Sequence, residues 1–226
     1  MANINKILII YLATDLLFVL GGALLFGTAL IFEAKIQTAP SLDSAPTILL
    51  FKQVPLQGAA VNAVFVFATF AISLPGVLMS DNRFWLKLQG WLIIVCAGFT
   101  LVLGLIIWYD TLQTRAELNV LWGQESTAMQ SLLQQAFNCC GYLNSTSPSF
   151  VQDSTCISPL IAAGMLGCVG PFSNFSNSTL NLVFTAGFGI VALDVILLIC
   201  VAVLLKDRKE KHRYRLIDAK SEFAVI

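Results

Sequence analysis

Charged residues are scarce in this chain. They make up 12% of its 226 residues, against 57% that are apolar. Ordinary soluble domains carry about 25% charged and about 45–50% apolar residues. With a mean hydropathy of +0.81, the polar surface is too small to coat a water-soluble globule, and that class is excluded. The net charge of zero excludes a globally basic nucleic-acid binder. Histidine is nearly missing: His212 stands alone, so His-ligated metal centres and His-dependent triads are not expected. No phosphate-cradling glycine loop, nucleophile elbow or metalloprotease helix motif occurs. Catalysis is therefore not expected, and no cofactor or metal is implied.

What the chain has instead is long apolar runs. A membrane crossing needs about 20 apolar residues, and four windows qualify: Ile7–Phe32, Gln57–Met79, Trp85–Tyr109 and Leu180–Leu205. The third is framed by Trp85 and Trp108, as tryptophan favours both membrane–water interfaces. The first exceeds the apolar core of a cleavable signal peptide, about 7–15 residues, and is read as retained. These windows predict an all-α membrane protein, a four-transmembrane-helix bundle. They divide it into a terminus (1–6), spans at 7–32, 57–79, 85–109 and 180–205, connections at 33–56, 80–84 and 110–179, and a tail (206–226). Lys6, Arg83, Lys87 and the seven basic residues of the tail account for ten of thirteen Lys and Arg. The positive-inside rule then places both termini in the cytoplasm, with 33–56 and 110–179 outside.

The connection 110–179 is the only one long enough to fold as a small domain. Leu118, Trp122, Met129, Leu132 and Ala136 recur near helical spacing, so the third helix is expected to continue out of the membrane. Beyond Gly141 the composition turns to Ser, Thr, Asn and Pro, which signals irregular chain. Cys139, Cys140, Cys156 and Cys168 lie in this connection, while Cys96 and Cys200 lie in spans. An even set on the oxidising side reads as two disulfides. Cys-x-x-Cys spacing is missing, which argues against zinc. Neighbouring Cys139 and Cys140 are expected to reach different partners; four cysteines otherwise allow three pairings.

Cys139-Cys140-Gly141, the later Cys156 and the Gly167-Cys168 pair before the last span, within a four-span chain with a tight inner turn, resemble the tetraspanin family. More narrowly, Asn138–Leu143, Gly167–Phe172 and Leu205–Lys209 are similar to the fungal tetraspanins linked to appressoria. The resemblance implies a small, disulfide-bonded, mainly helical large extracellular loop with nested pairs, Cys139 with Cys168 and Cys140 with Cys156. It implies a non-enzymatic organiser that associates laterally with other membrane proteins, tetraspanins and membrane lipids, or with its own copies, and that supports host penetration by a fungus. It also implies a plasma-membrane location, with endosomal or vacuolar membranes as further sites. A claudin-like junction protein would want cysteines in the first connection, which has none.

Asp15 and Asp194 lie inside spans, at a cost of about 2.5–3.5 kcal/mol each if ionised at the helix centre. Their depths differ by roughly 5 Å, close enough to meet if the first and fourth helices pack together; whether they touch is left open, and hydrogen-bonding glue between helices is the favoured role. Asp194→Asn would then leave assembly intact and Asp194→Leu would weaken it. A small proton or ion transporter using the same acids is the rival reading. Asn62, Ser73 and Thr100 are the other polar candidates, and Val102–Ile107 contains no acid or amide. Close helix approach is expected at Ala23, Gly27, Gly98 and Gly104, and a bend at Pro75.

Asn144-Ser145-Thr146 is the favoured glycosylation sequence over those at Asn174 and Asn177. Partner contact is placed between Tyr142 and Pro171, with Phe150, Leu160, Ile161, Met165 and Phe172 as candidates; for any single one of them a place in the small core of this segment is the slightly favoured reading. Cys200 is a candidate for acylation, and the basic tail suits an anionic leaflet. Tyr214 and Ile217 match a short sorting signal.

Overall fold

The computed structural model describes residues 2–79 and 82–223, with side chains at 6–79, 82–109 and 118–218. Ser80 and Asp81 of the expected tight turn, and the side chains of Arg115 and Lys220, lie outside the described residues. The chain is 79% helical, with no strand among the described residues. Its helices are α1 (Ala2–Gln37), α2 (Ala45–Phe51), α3 (Leu56–Leu78), α4 (Phe84–Gln124), α5 (Thr127–Phe137), α6 (Pro159–Ala163) and α7 (Val169–Phe223). α1, α3, α4 and α7 each contain a stretch long and apolar enough to cross a membrane. α7, at 55 residues, is longer than any crossing, because helix at 1.5 Å per residue needs only about 20 of them for the hydrocarbon.

Two compact units share these helices. The helical unit comprises 1–28, 57–102 and 187–226. Its core is Tyr11 and Phe18 from α1, Val66 from α3, Leu86, Ile93 and Cys96 from α4, and Leu197, Val201 and Leu204 from α7. Large apolar side chains on the opposite faces are exposed, Leu24 at 69% and Trp91 at 70% among them, as helices facing lipid rather than water require. The close approaches differ from those expected. A Cβ at Gly27, Gly98 or Gly104 would meet nothing within 4 Å, whereas one at Gly22 would run into Val66 of α3. Small residues are common in apolar helices, and only a neighbour's position distinguishes a packed one. Pro75 lies inside α3, which ends three residues later at Leu78.

The second unit comprises 29–56 and 103–186, so the large connection does not build it alone. The small connection forms α2, whose Ala45, Ile48 and Leu49 enter the same core as Leu118, Trp122, Met129, Leu133, Tyr142 and Phe172. Phe51 stacks on Phe32 at 3.7 Å between centroids, and Lys52 pairs with Glu125 at 2.8 Å. The helix expected beyond Asp110 is broken in two. Ser126 turns extended, and its hydroxyl accepts from the Met129 amide to start α5, an N-cap that satisfies an otherwise orphaned donor.

Candidate functional site

Two constellations carry the chemistry, one in each unit. In the helical unit, Asp15 of α1 is 2% exposed and accepts from the Ser73 hydroxyl of α3 at 2.6 Å and from Gln89 Nε2 of α4 at 3.1 Å. Gln89 Oε1 in turn accepts from the Tyr11 hydroxyl at 2.7 Å. One carboxyl thus joins three helices, and α1 returns to Gln89 through Tyr11. Further along, the Thr69 hydroxyl lies 3.6 Å from Cys96 Sγ, and Asn62 Nδ2 donates to the Thr100 hydroxyl at 2.7 Å.

These pairs form a ladder. On α3 the polar positions are Asn62, Thr69 and Ser73; on α4 they are Gln89, Cys96 and Thr100. Each set is spaced seven and then four residues, so it occupies one helical face. The sets pair in opposite order along the chain. The ladder spans about 16 Å of helix at 1.5 Å per residue. In hydrocarbon such bonds have no water to compete with them, and each contributes about 0.6–2 kcal/mol to helix association.

Asp194 takes no part in this bonding. It is 1% exposed, and neither carboxyl oxygen has a hydrogen-bond partner among the described residues. No hydrogen bond joins Asp15 to Asp194; the Asp15 oxygens accept from Ser73 and Gln89 instead. Gln89 is the residue that sequence reasoning missed. An amide in an apolar run gives little signal. Spacing from Cys96 and Thr100 could have found it.

In the second unit Cys139 is bonded to Cys168 and Cys140 to Cys156, with Cα separations of 5.1 and 5.8 Å. This is the nested arrangement. The two glycines of the motifs have physical reasons. Gly141 has φ +71, and a Cβ there would collide with the Asn144 carbonyl; one at Gly167 would collide with the carbonyls of Leu143 and Tyr142. Such close backbone approach is open to glycine alone. It lets the Cys140 amide donate to Leu166, Cys168 to Gly141 and Val169 to Tyr142.

Gln134 of α5 ties this corner together and was not foreseen. Fully buried, its amide nitrogen donates to the Val151 carbonyl at 2.7 Å and to Asp153 Oδ2 at 2.8 Å. Its oxygen accepts from the Gly141 and Val151 amides at 3.3 and 3.0 Å. α5 then ends on Asn138 in the left-handed region, with the Cys139 amide returned to the Gln134 carbonyl, a Schellman-type stop.

The candidate contact residues separate. Phe172 is fully buried in the core, and Phe150 and Met165 pack on the Cys140–Cys156 pair. Ile161 and Leu160 are exposed at 46% and 87%, joined by Ile157 at 56% and Leu166 at 82%. From Ser126 to Ala186 the only charged residue is Asp153, which is held inward by Gln134 and by the Thr155 and Cys156 amides.

Asn144 is exposed, and its Oδ1 accepts from both the amide and the hydroxyl of Thr146 at 2.9 Å. Asn174 and Asn177 lie within α7. Cys200 is half-buried against the core of the helical unit, and Cys96 is buried. Tyr214 and Ile217 are exposed and helical. Among the described residues no cluster of three metal-ligating side chains occurs. Comparison with protein-family models, with curated proteins and with solved structures found no match for the chain.

Proposed function

We propose that this chain is a tetraspanin-like membrane organiser. It is anchored by four helices, keeps both termini in the cytoplasm and displays its disulfide-bonded unit outside, where that unit gathers other membrane proteins. The observation that carries this reading is the exposure of the apolar side chains Ile157, Leu160, Ile161 and Leu166 in a segment whose one charged residue, Asp153, is held inward, on a covalently braced frame. Large exposed apolar side chains grouped on a folded unit mark interaction surfaces, and disulfides hold their geometry without a large core. The acceptor geometry at Asn144 supports a glycan on the same side. The similarity at Asn138–Leu143, Gly167–Phe172 and Leu205–Lys209 extends the proposal to a fungal penetration structure at the plasma membrane, where loss of the protein would block host entry.

The test is co-isolation after cross-linking in the native membrane. Leu160→Asp with Leu166→Asp should abolish recovery of partners while leaving both disulfides formed. Undiminished recovery would refute the assigned surface. A second reading, a proton or ion path, is favoured by the unpartnered carboxyl of Asp194 beside the ladder. Against it, Asp15 is committed to two interhelical bonds. Flux through purified protein in sealed vesicles, lost in Asp194→Asn, would replace the organiser reading.

A further inference from the structure

The helical unit carries a groove of about 220 Å³ between α4 and α7, lined by Trp91, Ile94, Leu198, Ala202 and Leu205, with Lys87 at one end. Gly90 leaves the groove open: a Cβ there would lie 3.7 Å from Val201 and 3.9 Å from Leu198 in ordinary contact, with no side chain beyond it. Trp91 is 70% exposed along it. The groove lies within stretches that qualify as membrane spans on both helices, so its surroundings are acyl chains.

The two ends of this groove differ in chemistry. The α7 stripe that lines it, Leu198, Ala202 and Leu205, continues at helical spacing to Lys209, which is exposed. On α4 the stripe of Lys87, Trp91 and Ile94 is preceded by Arg83, which lies just ahead of the helix and whose carbonyl accepts from the Lys87 amide. Apolar lining therefore gives way to three basic side chains, with no acid on either stripe. Of the two acids beside Lys209 on α7, Asp207 is paired with Lys211 at 2.6 Å, and Glu210 follows Lys209 directly, off the stripe that lines the groove.

We infer that this groove binds an anionic phospholipid, with an acyl chain along Trp91 and Ala202 and the phosphate-bearing headgroup held by Lys87 and Lys209. Charge complementarity selects the occupant. A neutral lipid or an apolar helix would leave the basic end unused, whereas one amphiphile with a negative head matches both ends. A basic side chain near an anionic headgroup strengthens local binding by about five-fold. The inference concerns a face separate from the disulfide-bonded unit and does not depend on the organiser reading.

The experiment uses the full chain in lipid nanodiscs, with Trp85 and Trp108 changed to Phe. Trp91 then reports on the groove, and Trp122, buried in the other unit, supplies a constant background. Brominated phosphatidylserine in a phosphatidylcholine bilayer should quench Trp91 several-fold more than brominated phosphatidylcholine at the same mole fraction. Lys87→Gln with Lys209→Gln should remove that difference, and Ala202→Phe, which fills the groove, should lower quenching by both lipids. Equal quenching by the two lipids in the unsubstituted groove would overturn the proposal. So would a preference that survives the lysine substitutions, or a Trp91 shielded from both lipids by a protein helix. Relief of the quenching by free inorganic phosphate would overturn it in favour of a soluble anion.

Discussion

The two units solve the same problem, holding distant parts of one chain together, by different chemistry. The disulfide-bonded unit uses covalent bridges, two glycines that admit close backbone approach, and the buried amide Gln134. The helical unit contains only the free thiols Cys96 and Cys200 and relies on shape and a ladder of interhelical hydrogen bonds. The difference teaches what each solvent permits. Against water a small core needs its unfolded state restricted. Against lipid the helices exist already, and what must be specified is which faces meet.

Removing the bridges should separate the units most sharply. Closing loops of 29 and 16 residues, each bridge is expected to stabilise its unit by about 3–4 kcal/mol. Reduction, or Cys139→Ser with Cys168→Ser, should expose 126–168 to protease while far-ultraviolet circular dichroism keeps the signal of the spanning helices. Loss of helix throughout would show that the units do not stand apart.

Gln134→Leu is the next largest change. It leaves the Gly141 and Val151 amides without the acceptor they share, at about 1–3 kcal/mol for each buried donor. The melting temperature of the disulfide-bonded unit, read by near-ultraviolet circular dichroism, should fall with both bridges intact. Gln134→Glu keeps the acceptor but sets a carboxylate oxygen against the Val151 carbonyl and Asp153 Oδ2, where the amide nitrogen donates, and should not recover the loss. An unchanged melt in Gln134→Leu would remove Gln134 from the account.

Within the ladder, Asp15→Leu leaves the Gln89 amide nitrogen without its acceptor and the Ser73 hydroxyl with only the Phe70 carbonyl of its own helix, 2.7 Å away, and should weaken helix association by about 0.6–2 kcal/mol. Asp15→Asn should cost less. The measurement is unfolding in detergent by a graded denaturant, with equal losses for the two substitutions arguing that the bonds contribute nothing. The smallest effect is expected at Asp194, whose oxygens have no partner among the described residues. Asp194→Leu should leave stability unchanged or raise it, since it removes a buried polar group that nothing satisfies. The reading of Asp194 as interhelical glue predicts the opposite, a weakening. A clear loss of stability would reinstate the glue.

Legibility in the sequence followed the range of the interaction. The spanning windows were readable because hydropathy sums over neighbours: the helices at 2–37, 84–124 and 169–223 contain three of them, and the helix at 56–78 covers the fourth except Met79. The break at Ser126 was not read, although Ser126 is a good N-cap residue, because the apolar spacing of Leu118, Trp122 and Met129 runs across it. Contact candidates and core residues could not be told apart among Phe150, Leu160, Ile161, Met165 and Phe172, because composition does not distinguish an inward side chain from an outward one; Phe172 is inward. Gly22 and Gly27 are equivalent by composition, yet only Gly22 meets a neighbour, Val66.

By itself the sequence determined that four stretches are long and apolar enough for lipid, that basic residues cluster at the termini and one short turn, and that four of six cysteines share one connection. These are local properties, additive along the chain. Only the tertiary structure decided that Asp15 meets Ser73 and Gln89 rather than Asp194, that α2 completes the core around Trp122, and that Gln134 closes the cysteine corner. Each depends on the rotation of one helix against another, which a single sequence does not record.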